Sequence, residues 1–187
     1  MVAAISPPQE KLLTGEELSR MPNSDLCELI DGRIVPMSPT NDEHGGIELN
    51  FGEALNAVVR RNRLGRVRVG EVGIYTRRNP DRVRAADVLY ISNERYAHKQ
   101  SESYLDVAPD LVVEILSPRD TASDMTQKLR EYFAIGVRLV WVADPEAKVV
   151  FAYRSLTDVR EFKEGDTLPG DDVLPGFATS VKELFEV

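Results

Sequence analysis

Residues 111–116, Leu-Val-Val-Glu-Ile-Leu, decide the fold, because this apolar run predicts a buried β-strand with a single carboxylate inside it. Glu114 can stay ionised in such a strand only if a cation or a hydrogen-bond network compensates its charge. Working outward, residues 83–91 predict a second apolar strand, which carries Asp87. Two acids in this setting indicate a shared partner, and a divalent metal ion is the economical candidate. An internal hydrogen-bonded pair of acids without a metal is the alternative.

The two acids can meet only if their strands are neighbours. Side chains alternate between the two faces of a strand, so Asp87 and Glu114 would then converge on one ion. Mg²⁺ takes oxygen ligands and keeps several waters, so two carboxylates and one backbone carbonyl are enough to hold it.

The segment after the Glu114 strand predicts a helix over residues 120–136, with Lys128 beside its apolar stripe. Because that stripe should pack on the sheet, the Lys128 ammonium can lean toward the strand ends, where it would orient a water molecule or offset phosphate charge. Lys128→Ala should then abolish cleavage while leaving metal binding and stability nearly intact. The alternative is an exposed lysine lying along the helix surface, which the spacing alone favours.

The other segments predict an α/β fold, in which a mixed central sheet is flanked by helices and preceded by an N-terminal β-hairpin. A short helix is predicted to begin after Thr14, and Asp31-Gly32 predicts the turn of a hairpin over residues 26–37. A longer helix is predicted over residues 44–62, with Gly65 ending it.

We expect a single domain of 187 residues. It would have a loose N-terminal arm over residues 1–13, marked by Pro7 and Pro8, and a C-terminal hairpin and tail over residues 145–187. Cys27 is the only cysteine, which excludes an intramolecular disulfide and a cluster of thiolate metal ligands. Signal-peptide blocks are not seen and the apolar runs are too short to cross a bilayer, so we expect a cytoplasmic protein with no membrane partner.

The charge distribution is uneven. The chain carries a net charge of −8, which taken alone argues against nucleic-acid binding. Residues 60–84, however, hold nine arginines and two acids, a net charge of +7. A basic patch on an acidic body is the local signature of a nucleic-acid contact, and the alternative is a solvated helix end followed by a charged hairpin. The first five arginines are the candidates for contacts with a DNA backbone: Arg60, Arg61, Arg63, Arg66 and Arg68.

An ordered set of short motifs resembles the Uma-two family of restriction-endonuclease-like proteins, a branch of the PD-(D/E)XK nuclease superfamily. The resemblance extends over nearly the whole chain and is clearest from about Leu12 to Asp144. The residues that carry it are Glu28-Leu29-Ile30-Asp31-Gly32-Arg33, Ser38-Pro39, His44, Val113-Glu114-Ile115-Leu116-Ser117-Pro118, Asp124, Lys128, Tyr132, Gly136-Val137 and Trp141-Val142-Ala143-Asp144-Pro145.

The resemblance implies roles for individual residues. Asp87 matches the first acid of the superfamily and Glu114 the second, so both would be catalytic and hold Mg²⁺, with Mn²⁺ able to substitute. The superfamily lysine is expected two residues after the second acid, where Leu116 stands, and Lys128 looks like the displaced lysine of this family. Glu28 could reach the metal or its waters. His44 could contact phosphate or only cap its helix.

The resulting hypothesis is a Mg²⁺-dependent endonuclease that hydrolyses phosphodiester bonds of DNA, double-stranded by analogy, and acts as a homodimer because cutting both strands needs two sites. The carbonyl of Leu116 would complete the protein ligands of the metal. A catalytically inactive binding or regulatory module with the same fold is the main alternative. A metal-dependent hydrolase of another phosphate ester is a third possibility.

Overall fold

The computed structural model describes residues 11–22, 24 and 26–187. Most of the predicted N-terminal arm, including Pro7 and Pro8, lies outside the described residues. Helix α1 (Gly15–Leu18) begins with a capping box between Thr14 and Glu17, as the sequence predicted.

The predicted N-terminal hairpin is confirmed. Strands β1 (Cys27–Ile30) and β2 (Arg33–Pro36) are antiparallel partners. The turn residues Asp31 and Gly32 both have positive φ, 54° and 76°. That pair of angles is typical of the tight turns whose twist matches a hairpin.

Helix α2 (Asp42–Arg61) begins at the N-cap Asn41 and ends at Asn62, three residues before Gly65. The prediction that Gly65 ends this helix is wrong, because Gly65 is the first residue of strand β3 (Gly65–Arg77). A Cβ on Gly65 would lie 2.1 Å from the backbone oxygen of Ile91. The glycine is therefore required by a close approach of two strands and not by a helix end.

The central part of the chain contributes strand β4 (Arg82–Ser92), helix α3 (Asn93–Tyr96), strand β5 (Leu111–Ile115) and helix α4 (Ala122–Ile135). Strands β6 (Leu139–Asp144) and β7 (Val149–Tyr153) follow as an antiparallel pair.

The C-terminal tail holds more structure than the sequence predicted: strands β8 (Val159–Lys163), β9 (Thr167–Pro169) and β10 (Ala178–Ser180), then helix α5 (Val181–Leu184). Strand β8 extends the central sheet by pairing with β7. Its signal is weak in the sequence because all of its residues except Phe162 are exposed.

The central sheet has eight strands in the order β2-β1-β4-β5-β6-β7-β8, with β3 on β4. Strands β5 and β6 are parallel and the other described pairs are antiparallel. Helix α2 and the C-terminal segment cover one face, and α4 covers the other. This is the predicted mixed sheet flanked by helices. Within the described ranges, no helix combines the length and apolar character needed to span a bilayer.

Candidate active site

The site forms where strand β4 changes its neighbour. The first part of β4 pairs with β1 through Leu29 and Val83, and the last part pairs with β5 from Val88 to Tyr90. Between these two stretches of strand pairing, carboxylate side chains accept backbone N–H groups. Glu28 accepts from Ala85 N at 3.0 Å, and Asp87 accepts from Ile115 N at 2.6 Å. The sheet therefore opens at a seam that is bordered by carboxylates.

Glu114 is almost fully buried, with 2% of its surface exposed, and both of its carboxylate oxygens have donors. The Lys128 ammonium lies 2.6 Å from Oε2, and the Tyr132 hydroxyl donates to Oε1 at 2.6 Å. Lys128 and Tyr132 are one turn apart on α4, so both reach the sheet from the same helix face. The side chain of Lys128 is 18% exposed, which does not fit the alternative of an exposed lysine. It also changes the expectation that Lys128→Ala would leave stability intact.

Burial and charge act in opposite directions at this pair. Burial raises the pKa of Glu114 to about 7; the Lys128 ammonium opposes the rise and the charge of Asp87 adds to it. Burial disfavours the charged form of Lys128, but the carboxylates of Glu114 and Glu28 raise its pKa above the ordinary value. Lys128 therefore keeps its proton, and the anionic form of Glu114 depends on it.

Asp87 contacts β5 through its Oδ2, which accepts the Ile115 N–H. Its Oδ1 is 3.5 Å from Nε2 of His44, on the first turn of α2. That contact does not satisfy hydrogen-bond geometry, so Nε2 is a buried polar atom without a hydrogen-bond partner among the described residues. Burial opposes protonation of His44, but Asp87 and Glu48 raise its pKa. The side chain does not cap the helix, because Asn41 is the N-cap and accepts the His44 N–H.

Among the described residues, Glu28 forms no hydrogen bond with Asp87 or Glu114 and is instead held by Arg84, whose guanidinium lies 2.7 Å from Oε2. Its Oε1 is 4.0 Å from the Lys128 ammonium. Arg84 also binds Glu131 of α4 at 2.6 Å, and Arg82 binds Glu131 as well. This buried network joins β1, β4 and α4 and fixes the helix that carries Lys128.

The donor chemistry of the seam fits a hard divalent cation. Among the described residues, Asp87 Oδ1 has only the long contact to His44, and each oxygen of Glu114 keeps a second lone pair. The described part of the chain holds no group of three or more His, Cys, Asp or Glu side chains placed to bind a metal ion. The carboxylates of Asp87 and Glu114 would hold a cation here, with a backbone carbonyl and water as the remaining ligands, a set that Mg²⁺ accepts.

The arginine-rich segment divides into two parts. Its last four members form ion pairs with acids of the same chain, exposed for the first two and largely buried for the last two: Arg77, Arg78, Arg82 and Arg84. Arg60 and Arg61 lie at the far end of α2, roughly 24 Å along the helix from His44, with Arg63 in the following turn. Arg66 and Arg68 lie on β3, opposite Ile91 and Leu89, and so are nearer to Asp87.

Neither a role for Tyr132 nor the pairing of Arg84 with Glu131 was predicted from the sequence. Tyr132 follows Lys128 by one helical turn, and that spacing could have indicated a shared target. The pairing of Arg84 with Glu131 joins residues 47 apart in the chain, and no local pattern reveals it.

This mixed sheet, with two acids and a lysine gathered at its seam, defines the class as a nuclease-like α/β fold. The comparisons give the family. The family model "Uma2: Putative restriction endonuclease" matches residues 16–182, so the chain belongs to the Uma2 family, the one that the sequence motifs resemble. The fold is similar to that of a solved structure from Anabaena variabilis ATCC 29413, described as "a putative nuclease belonging to DUF820", with a TM-score of 0.76 and 23% identity. The match covers 92% of this chain and 97% of that one. No match was found among curated proteins.

Proposed function

We propose that the protein is a metal-dependent endonuclease that hydrolyses phosphodiester bonds of double-stranded DNA. One observation carries the proposal: Glu114, buried beside Asp87 at the open seam of the sheet, is bound by the Lys128 ammonium at 2.6 Å. Strongly shifted ionisable groups that are placed together mark functional sites. Membership of a family of restriction-endonuclease type supports the same reaction.

Each residue of the candidate site would have its own role in the proposed reaction. Asp87 and Glu114 would hold Mg²⁺, or Mn²⁺ in its place, together with the backbone carbonyl of Leu116. When bound, the ion supplies a polarised phosphate and an activated water. Lys128 would orient that water or stabilise the charge that develops on the phosphate. His44 would donate its unpartnered Nε2–H to a phosphate oxygen.

A homodimer in the cytoplasm completes the proposal. Two protomers would present two sites, one for each strand of a duplex, and closed twofold assemblies are the commonest homo-oligomers. The single cysteine of the chain fits a reducing compartment.

The test is cleavage of supercoiled plasmid DNA in Mg²⁺, Mn²⁺ or EDTA. Cleavage should need the metal, and Asp87→Asn and Glu114→Gln should each reduce it about 100-fold or more. Glu53→Gln is the matched control, because Glu53 is an exposed acid on α2, and it should cleave like the wild type. Mg²⁺ should also raise the Tm of the wild type but not of the two site variants.

A non-catalytic binding module is the alternative, and one observation favours it: both oxygens of Glu114 already have donors within the chain. Wild-type protein that neither cleaves DNA nor changes its Tm with Mg²⁺ or Mn²⁺ would support this alternative and reject the enzyme.

A further inference from the structure

We propose that a cationic cleft between β3 and the segment after α3 is a second subsite, which binds a backbone phosphate of the nucleic-acid substrate. This inference rests on the proposed function. It adds a place on the protein that binds the substrate strand at some distance from the bond that is cleaved. The cleft is a cavity of about 180 Å³, and its polar lining includes Arg68, Tyr96, Lys99 and Tyr104.

The charge of the cleft is opposite to that of the chain. The chain has 31 acids and a net charge of −8, yet none of the described residues that line the cleft is acidic. Arg68 donates to the backbone oxygen of Val67 at 2.9 Å, and the Lys99 ammonium donates to the backbone oxygen of Ser101. Neither cation has a carboxylate partner among the described residues. Two cations that are not neutralised by ion pairs form an attractive site for an anion.

Arg66 adds a preorganised third cation beside the cleft. Its guanidinium lies 3.7 Å above the ring centre of Tyr96, which is a lining residue. Stacking holds the guanidinium plane and leaves its N–H edge for hydrogen bonds, the geometry in which arginine binds phosphate. The arginines of the internal network, such as Arg84, cannot serve in this way because carboxylates already bind them.

The cleft continues toward the acids. A second cavity of about 320 Å³ shares Gly73 and Tyr104 with the first and extends to Ala85, two residues before Asp87. Gly73 lets the Tyr104 ring approach β3 closely, since a Cβ there would be 2.2 Å from the ring. The two cavities therefore adjoin along β3 and are together called the trough, which has the cations at one end and Ala85 with the acid Glu71 at the other.

The length of the trough suits a polymer. Arg68 is opposite Leu89, two residues along β4 from Asp87, which separates the two backbones by roughly 8 Å. Nucleotides in a duplex strand rise roughly 3.4 Å each along the axis, so a phosphate in the cleft would lie a few nucleotides from the one at the acids. A free nucleotide would fill only one end. We therefore assign the cleft to the backbone of a nucleic acid.

The experiment measures binding of a fluorescent DNA duplex by anisotropy in EDTA, over a range of salt concentrations. Loss of two phosphate contacts in Arg68→Ala/Lys99→Ala should reduce the slope of log K against log salt by about 1.8. Between about 50 and 200 mM salt, the wild type should then lose about 12-fold more affinity than the variant. The matched control is Arg160→Ala/Lys163→Ala on β8, which removes the same two residue types; Arg160 also lies over an aromatic ring, at 5.0 Å from the Phe162 centroid.

Four results decide the proposal. A smaller slope in the cleft variant, with the control unchanged, supports the subsite. Equal slopes in the wild type and both variants, with plasmid cleavage intact, overturn the subsite and leave the proposed function standing. A wild type that neither binds nor cleaves DNA overturns both. If deoxyadenosine monophosphate binds the wild type and not the cleft variant while the DNA slopes are equal, the cleft takes a free nucleotide, and the backbone assignment is wrong.

If the Tm of the variant falls, Arg68→Gln/Lys99→Gln replaces it, because glutamine keeps part of each side-chain stem.

Discussion

Replacing Lys128 by methionine should destabilise the protein far more than removal of an ordinary lysine. Methionine keeps the length of the side chain and removes the ammonium, so Glu114 keeps only the Tyr132 hydroxyl as a donor. The two side chains are 18% and 3% exposed, and solvent therefore screens the loss only weakly. Breaking a buried ion pair from one side costs about 3–5 kcal/mol. For a domain of this size, the Tm should fall by roughly 6–20 °C.

A double-mutant cycle that adds Glu114→Gln separates the effect of charge from the effect of packing. Glu114→Gln should cost less than Lys128→Met, because Glu28 remains 4.0 Å from the orphaned ammonium. The double variant removes both charges, so neither is left unpaired. Its loss of unfolding free energy should be smaller than the sum of the two single losses, by about 2 kcal/mol or more.

The assay is urea unfolding at pH 8 in EDTA, where Glu114, with its pKa raised by burial to about 7, is ionised in the wild type. Lys148→Met is the control, since Lys148 is 55% exposed and its ion pair with Glu164 is at the surface; it should change the unfolding free energy by about 0.5 kcal/mol or less. The reasoning is refuted if Lys128→Met matches that control, or if the double variant loses the sum of the single effects.

Three further predictions test other parts of the structure. Tyr132→Phe removes a donor to Glu114 and should cost about 1.5–3 kcal/mol in urea unfolding, the range for a hydrogen bond to a charged group; a loss under about 0.5 kcal/mol would contradict the contact. The hydrogen bond from Arg78 lowers the pKa of Glu16 to about 2. The stabilisation that this contact gives the fold is therefore present above the unfolded pKa and is lost as the pH falls from about 4.5 toward 2. The Tm values of the wild type and Glu16→Gln should differ at pH 7 and converge on acidification, whereas a constant difference would reject the pairing. Gly65→Ala puts a Cβ 2.1 Å from a backbone oxygen of β4 and should cost about 1–3 kcal/mol, and a neutral effect in thermal melting would show that the strands can separate.

Local pattern was enough to predict most of the sheet. Strands β4, β5 and β6 are apolar runs buried on both faces, and the hairpin has a turn that few other residue pairs can form. Strand β8 was missed because its position at the sheet edge leaves only one buried residue to set a pattern. Gly65 was misassigned because a glycine after a helical segment is equally compatible with a helix end and with a tight strand contact.

The sequence was enough to choose candidate site residues but not to place them in space. An acid within an apolar strand is visible in the sequence, and Asp87 and Glu114 were proposed in this way. Whether Lys128 reaches Glu114 depends on how α4 packs on the sheet, and the helix pattern alone favoured an exposed lysine. The seam depends on β1 and β5 sharing one edge of β4, which is a long-range pairing that no local sequence signal specifies.

The net negative charge of the chain does not argue against a nuclease once the charges are located. Burial raises the pKa of Glu48 and of Glu114, and the charge of Asp87 raises both further. His44, despite its burial, has a raised pKa because of Asp87, Glu48 and Glu71. The charge of Asp87 thus raises the pKa of all three groups, and a divalent cation bound there would reduce that effect. Such a cation would also reverse the local sign of the field for an approaching phosphate. Acidity at the seam and basicity in the cleft are therefore both compatible with the proposed path of the substrate, and the total charge of −8 describes neither.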